Sequence, residues 1–168
     1  EQGIVVKLDQ TGAVLHPRYL HGVGRGRALA SDSKGQLWIG SDGPAASPIQ
    51  DGSGQFWRAS PQGDLTLVLR GPLPAGMSVS PGGILFVTQR RIGKSFALKP
   101  DGARIEFATV AGDGIFRALA FAPVTGETRQ AGIAGDLFMI GCPRFNSQTC
   151  EVIRISGPFH ELVQNVGR

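Results

Sequence analysis

The feature that most constrains this chain is a glycine turn that keeps returning. Leu8-Asp-Gln-Thr-Gly12, Ser31-Asp-Ser-Lys-Gly35, Ser60-Pro-Gln-Gly63, Ser80-Pro-Gly-Gly83, Lys99-Pro-Asp-Gly102 and Ala122-Pro-Val-Thr-Gly126 each separate two short apolar segments, and Ser156-Gly157-Pro158 closes the series. Proline fixes φ early in such turns and glycine supplies the positive φ that completes them. Seven turns of this kind predict seven hairpins and fourteen strands.

The hairpins alternate between two types. One has small and apolar residues before the turn and a strongly apolar strand after it: Ala28–Ala30 with Leu37–Ile39, Met77–Val79 with Ile84–Val87, and Ala118–Phe121 with Leu137–Ile140. Near-continuous apolar runs indicate strands covered on both faces. The other type alternates more and carries charge, as in Ile4–Leu8 with Val14–Leu20, Phe56–Ser60 with Leu65–Leu69, Phe96–Leu98 with Ile105–Val110, and Val152–Ile155 with Phe159–Val163. That pattern suits strands near a wet rim. An inner hairpin followed by an outer one is the grammar of a β-propeller blade, with strands A and B and then C and D. Aligning Leu29 with Met77 places Gly35 on Gly83 and Trp38 on Phe86, a period of 48 residues, and Met77 to Leu119 gives 42. Both suit blades.

The expected fold is therefore all-β and β-propeller-like, one domain over residues 1–168, with an outer hairpin at 3–20 and blades at 27–70, 77–110 and 118–164. A β-sandwich is the alternative; it explains the strand count but not the two hairpin types. Three and a half blades fall short of the roughly four to eight that close a ring. Open strand edges invite pairing. Either the sequence is a fragment of a longer propeller, or a protein partner or a second copy completes the sheet edges, or the first hairpin has another role.

Composition narrows the classes further. With 25 glycines, 11 prolines, 41% hydrophobic and only 18% charged residues, the chain suits a turn-rich β-protein and not a helical bundle. The net charge of +4 is spread, with no basic run longer than Arg90-Arg91, so solvated surface charge is expected and nucleic-acid binding is not. No apolar run approaches the ~20 residues of a membrane helix, so no membrane span is expected. The chain begins Glu1-Gln2, which reads as a processed mature protein or an excised segment.

Two cysteines, Cys142 and Cys150, have seven residues between them. Two thiols with no nearby histidine make a poor metal site, and the CxxC redox spacing is absent. A disulfide closing a short loop is expected, and it implies an oxidising compartment, periplasmic or secreted. The competing reading is a pair of reduced, half-buried thiols in a cytosolic protein.

The segments Arg27–Ile39, Ala75–Val87 and Arg117–Gly126 resemble the inner hairpins of a broad propeller group: gluconolactonase and senescence-marker proteins, NHL-repeat proteins, virginiamycin B lyase and soluble glucose/sorbosone dehydrogenases. In the gluconolactonase type the resemblance implies an Asn or Asp before the Gly-Leu-Ala of each inner strand, facing the central channel and helping to hold a divalent metal. Those positions here are Arg27, Ala75 and Arg117, which offer a hard cation no oxygen donor. The lyase-type Glu at the end of strand B falls near Ser41, Gln89 and Gly141 and is missing. The resemblance thus implies the fold and counts against those activities, and no metal or cofactor is expected.

Other residues carry weaker signals. His16, His21 and His160 read as solvated residues and not as ligands. Gly22-Val-Gly-Arg-Gly26 lacks the strand-to-helix setting of a phosphate loop and reads as a connection into strand A. The long B-to-C connection Ser41–Gly54 contains Asp42, Asp51 and Ser53, too few oxygen donors for a calcium loop, but a common kind of place for binding. Trp38 and Trp57 read as packing between blades. Arg27 and Arg117 are the sharpest candidates: if both enter the channel, two guanidiniums require an anion or carboxylate nearby, such as Asp32, Asp113 or a bound small anion. The competing reading pairs each arginine with its own neighbour.

These observations favour a non-catalytic binding or assembly module on a partial propeller, a subunit or fragment of a larger extracytoplasmic protein or complex. The alternative is a piece of a propeller hydrolase or lyase of the gluconolactonase-like group.

Overall fold

In the computed structural model, residues 3–99, 101–112, 114–144 and 147–159 are described. They form four separate antiparallel sheets that follow one another along the chain. A two-stranded sheet, β1 (Ile4–Leu8) and β2 (Val14–His21), comes first. A four-stranded sheet follows, β3 (Gly26–Ser31), β4 (Leu37–Ser41), β5 (Gly54–Ala59) and β6 (Leu65–Gly71), paired in sequence order. The next has the same order: β7 (Pro74–Val79), β8 (Leu85–Gln89), β9 (Lys94–Leu98) and β10 (Arg104–Thr109). The last contains β11 (Ile115–Phe121), β12 (Leu137–Cys142) and β13 (Glu151–Ile155). The strand expected at Phe159–Val163 lies, apart from Phe159, outside the described residues.

Five of the seven expected turns close in one shared way. The first residue of each, Asp9, Asp32, Ser60, Ser80 or Lys99, donates its N–H to the carbonyl four residues on and accepts from the glycine three residues on. Those glycines have φ of 76–96°, where any side chain would be strained. In four of the five, the first residue's side chain also accepts a backbone N–H inside the turn: Asp9 from Thr11 and Ala13, Asp32 from Lys34 and Gln36, Ser60 from Asp64, Ser80 from Ile84. These bonds give the turn a side-chain brace as well as a backbone one.

The sixth turn departs from the expectation. Gly126 does not close it. Ala122 donates to Asp136 and accepts from Gly135, thirteen residues on instead of three. The inserted segment holds α1 (Gly126–Gln130), capped by a reciprocal pair in which Thr125 Oγ1 accepts from Thr128 N and Thr128 Oγ1 accepts from Thr125 N. Thr128 offers a hydroxyl where the familiar capping box has Glu or Gln, so the helix start is hard to read from sequence.

The core lies between the sheets. Trp38 and Phe56 of one blade pack against Met77, Leu85, Val87, Phe96 and Leu98 of the next. Beyond it, Phe86 meets Phe107, Phe121 and Phe159 edge-on at ring separations of 4.8, 5.2 and 5.5 Å, amid Phe116, Leu119, Leu137 and Met139. Edge-to-face contacts of this kind add about 0.5–1.5 kcal/mol each beyond area burial. A third cluster, Leu20, Val23, Ile39 and Ala59, seats the first hairpin on the first full blade. Core faces looking along the succession of sheets are what a propeller needs, because each blade is covered by its neighbours. Trp38 is buried as expected, with the Arg58 guanidinium 5.7 Å over its ring.

Candidate functional site

The inner strands β3, β7 and β11 stand side by side. Each begins with a β-bulge at the same repeat position. Gly26 faces Ser41 and Ala28 faces Gly40, so Arg27 has no opposite number. Pro74 faces Gln89 and Gly76 faces Thr88, which leaves Ala75 over. Between the Phe116–Gly141 and Leu119–Met139 pairs, Arg117 and Ala118 together oppose Ile140. A bulge re-aims the side chain it carries, and bulges concentrate beside functional sites. In the second full blade, the N–H of Gly76 that the bulge removes from the ladder is taken up by Thr88 Oγ1 at 2.9 Å.

The bulges bring the two arginines singled out by sequence to one place. Arg27 and Arg117 line the same cleft, of about 270 Å³, with Pro74, Ala75, Arg90 and Arg91. Arg90 and Arg91 follow directly on β8 and were not singled out, because as surface residues after a strand end they carry no pattern of their own.

At the edge of the cleft lies a three-residue ion cluster. Asp42 Oδ2 accepts from Arg27 Nε at 2.7 Å and from Arg90 Nη1 at 2.8 Å. Asp42 is 1% exposed, and its Oδ1 has no hydrogen-bond partner among the described residues. Its backbone is fixed by Asp42 N donating to the Arg25 carbonyl, while Arg25 donates to the carbonyls of Ala45 and Ser47 and straps down the long connection. Asp42 and Arg90 occupy equivalent positions one repeat apart: Arg90 N donates to the Leu73 carbonyl just as Asp42 N does to that of Arg25. The acid beside Arg27 is thus Asp42 and not Asp32, whose carboxylate braces its own hairpin turn. Asp113 lies outside the described residues.

The other candidates fall elsewhere. His16 and His21 are exposed on β2, and His160 is outside the described residues. Gly22–Gly26 is the connection into β3, with Gly24 at φ 69° against the Gly43 carbonyl. No three His, Cys, Asp or Glu residues gather among the described residues. Cys142 and Cys150 form a disulfide that joins the end of β12 to the residue before β13.

No protein-family model and no curated protein matches the sequence. Solved structures do match in fold. Regucalcin, a calcium-binding protein from Agrobacterium tumefaciens, is similar with a TM-score of 0.58 at 12% identity, over 88% of this chain and 48% of that one. Virginiamycin B lyase from Staphylococcus aureus gives 0.52 at 15% identity, over 92% and 49%. An auxiliary nutrient binding protein from Bacteroides thetaiotaomicron gives 0.56 at 11%, over 89% and 36%. The chain spans half or less of each of these proteins, and at such identities the likeness is one of fold. The sheet succession, the inter-sheet cores and these neighbours together make the chain a nearly all-β, partial β-propeller that resembles the virginiamycin B lyase and regucalcin group.

Proposed function

We propose that the chain is a non-catalytic binding or assembly module that works within a larger extracytoplasmic protein or complex, and that its first, incomplete blade accepts a partner β-hairpin along β1. The open side of β1 carries the reading. Among the described residues β1 pairs only with β2, whereas both full blades place two inner strands before the equivalent pair. Ile4, Val6 and Leu8 of β1 are about half exposed, and Leu29 on β3 is 55% exposed. Between them lies a cleft of about 540 Å³ lined by Gly3–Val6, Val23–Leu29 and Ile39. An apolar, unpaired edge of this kind suits strand addition, in which main-chain hydrogen bonds supply affinity and side-chain pockets supply specificity. The disulfide is what supports an oxidising location. No helix among the described residues is long and apolar enough to cross a membrane.

Size exclusion with light scattering, combined with amide exchange, tests the reading. Either an oligomer or a monomer with fast-exchanging β1 and β2 amides is expected. A stable monomer protected throughout β1 and β2 would count decisively against a partner-accepting edge.

A further inference from the structure

We propose that the cleft walled by Arg27, Arg90, Arg91 and Arg117 binds a small molecule through an oxyanion, a phosphate or carboxylate group. The site deepens the proposed binding module by giving it a ligand class; it is read separately from assembly, because its guanidiniums, those of Arg27, Arg90, Arg91 and Arg117, all belong to this chain. Three observations converge on it. The first is charge: counting only Arg27, Arg90, Arg91 and Asp42, three guanidiniums face one carboxylate. Asp42 spends a single oxygen on both of its arginines, and Arg91 has no ion-pair partner among the described residues. Excess positive charge at a concave, partly desolvated wall attracts anions and lowers the cost of their approach. The guanidinium fork favours planar or tetrahedral oxyanions over halides.

The second observation is backbone irregularity. Arg91 has φ of 68°, and it is the one non-glycine residue with positive φ among the described residues. A side chain held in the left-handed region costs about 1 kcal/mol or more, and such outliers gather at ligand sites. The bulges at Arg27 and Arg117 add two more departures on the same wall. The third is room: Ala75, at the bulge of the middle inner strand β7, leaves the wall open where a longer side chain would fill it. A cleft of about 270 Å³ has room for the oxyanion end of a small molecule.

Calorimetric titration of the full chain at low ionic strength, with inorganic phosphate and separately with malonate, tests the proposal. Saturable binding of at least one probe is expected. Arg91→Gln should weaken it by about tenfold or more, while Arg70→Gln, on the outer strand β6, changes it less than about twofold. Raising salt from about 20 to about 200 mM should weaken it several-fold. Tighter binding of phosphate points to a phosphate-bearing ligand, and tighter binding of malonate to a carboxylate. No saturable binding of either probe overturns the site. So does an equal loss in Arg70→Gln and Arg91→Gln, since diffuse surface charge would then account for the signal. Arg91 holds no ion pair among the described residues, so its variant stays readable even if Arg27→Gln disturbs folding through Asp42. Light scattering on the same samples reports assembly independently.

Discussion

At the residue scale, Asp42 is the pivot of the candidate site. Its carboxylate is buried and supports two guanidiniums from successive blades. Asp42→Ala removes both charge-assisted bonds and leaves Arg27 and Arg90 to find water. Arg27 is 43% exposed and Arg90 26%, so both can rehydrate in part. The expected loss is therefore about 1–3 kcal/mol, below the figure for a wholly buried pair. Urea unfolding checks it, and an unchanged midpoint would mean that the cluster is energetically idle. The sequence singled out Arg27 and Arg117 because they recur one residue before an Ala-Leu-Ala. It did not reveal Asp42 as the neighbour of Arg27. The Asp42–Arg90 pair spans a blade boundary 48 residues apart, and only the repeat period places the two at equivalent positions. Within its own loop Asp42 carries no ligand pattern, since only Asp51 and Ser53 of that connection fit the alternate oxygen donors of a calcium loop.

At the element scale, the inner strands differ from ideal strands in one repeated detail, the bulge, and periodicity of apolar residues does not show it. A bulge adds one residue to a short strand, within the ordinary tolerance of any strand boundary. Its hydrogen-bond cost is visible only in the fold, where Thr88 Oγ1 takes the stranded Gly76 N–H and Thr88 is fully buried. Thr88→Val keeps the shape and removes that partner, so a destabilisation of about 1–2 kcal/mol is expected, with no change in assembly state. Chemical denaturation combined with light scattering separates the two effects. The β12–β13 connection offers a second test. Closing a ring this short with the Cys142–Cys150 bond stabilises by about 2–3 kcal/mol in the loop-entropy model, and the Cys142→Ser/Cys150→Ser double variant should lose that amount. Mass spectrometry of the native protein should find no freely alkylated cysteine. The turns, by contrast, were legible because their chemistry is local: five close at the glycine expected for them. The sixth departs because Pro123, Thr125 and Gly126, residues that suit a turn, here lead into a helix.

At the scale of the whole molecule, the alternation of two hairpin types matches the succession of blades, but coverage does not follow the types. The middle strands β4, β5, β8 and β9 are mostly buried, whereas β3, expected to be covered on both faces, and the outer β10 are largely exposed. If partners meet the ends of that succession, as proposed, the two ends offer them different surfaces. At the first, β1 offers an edge that no described strand pairs with, beside exposed Leu29. At the other, β13 presents a face on which Val152 is 71% exposed. A contact through the first end depends on main-chain pairing along β1, and a lysine there blocks an edge as natural sheets do. A contact through the other depends on apolar packing, which a lysine at Val152 disrupts. Neither residue packs in a core of the isolated chain, so each substitution should change monomer stability by no more than about 0.5 kcal/mol. If the proposed strand addition is correct, Val6→Lys abolishes association while Val152→Lys leaves it within about threefold. The opposite pattern would place the contact on the β13 face and refute pairing along β1. Loss in both would mean that each junction joins the β13 face of one chain to the β1 edge of another, the head-to-tail contact by which rings close. Sedimentation velocity over a concentration series distinguishes the three results.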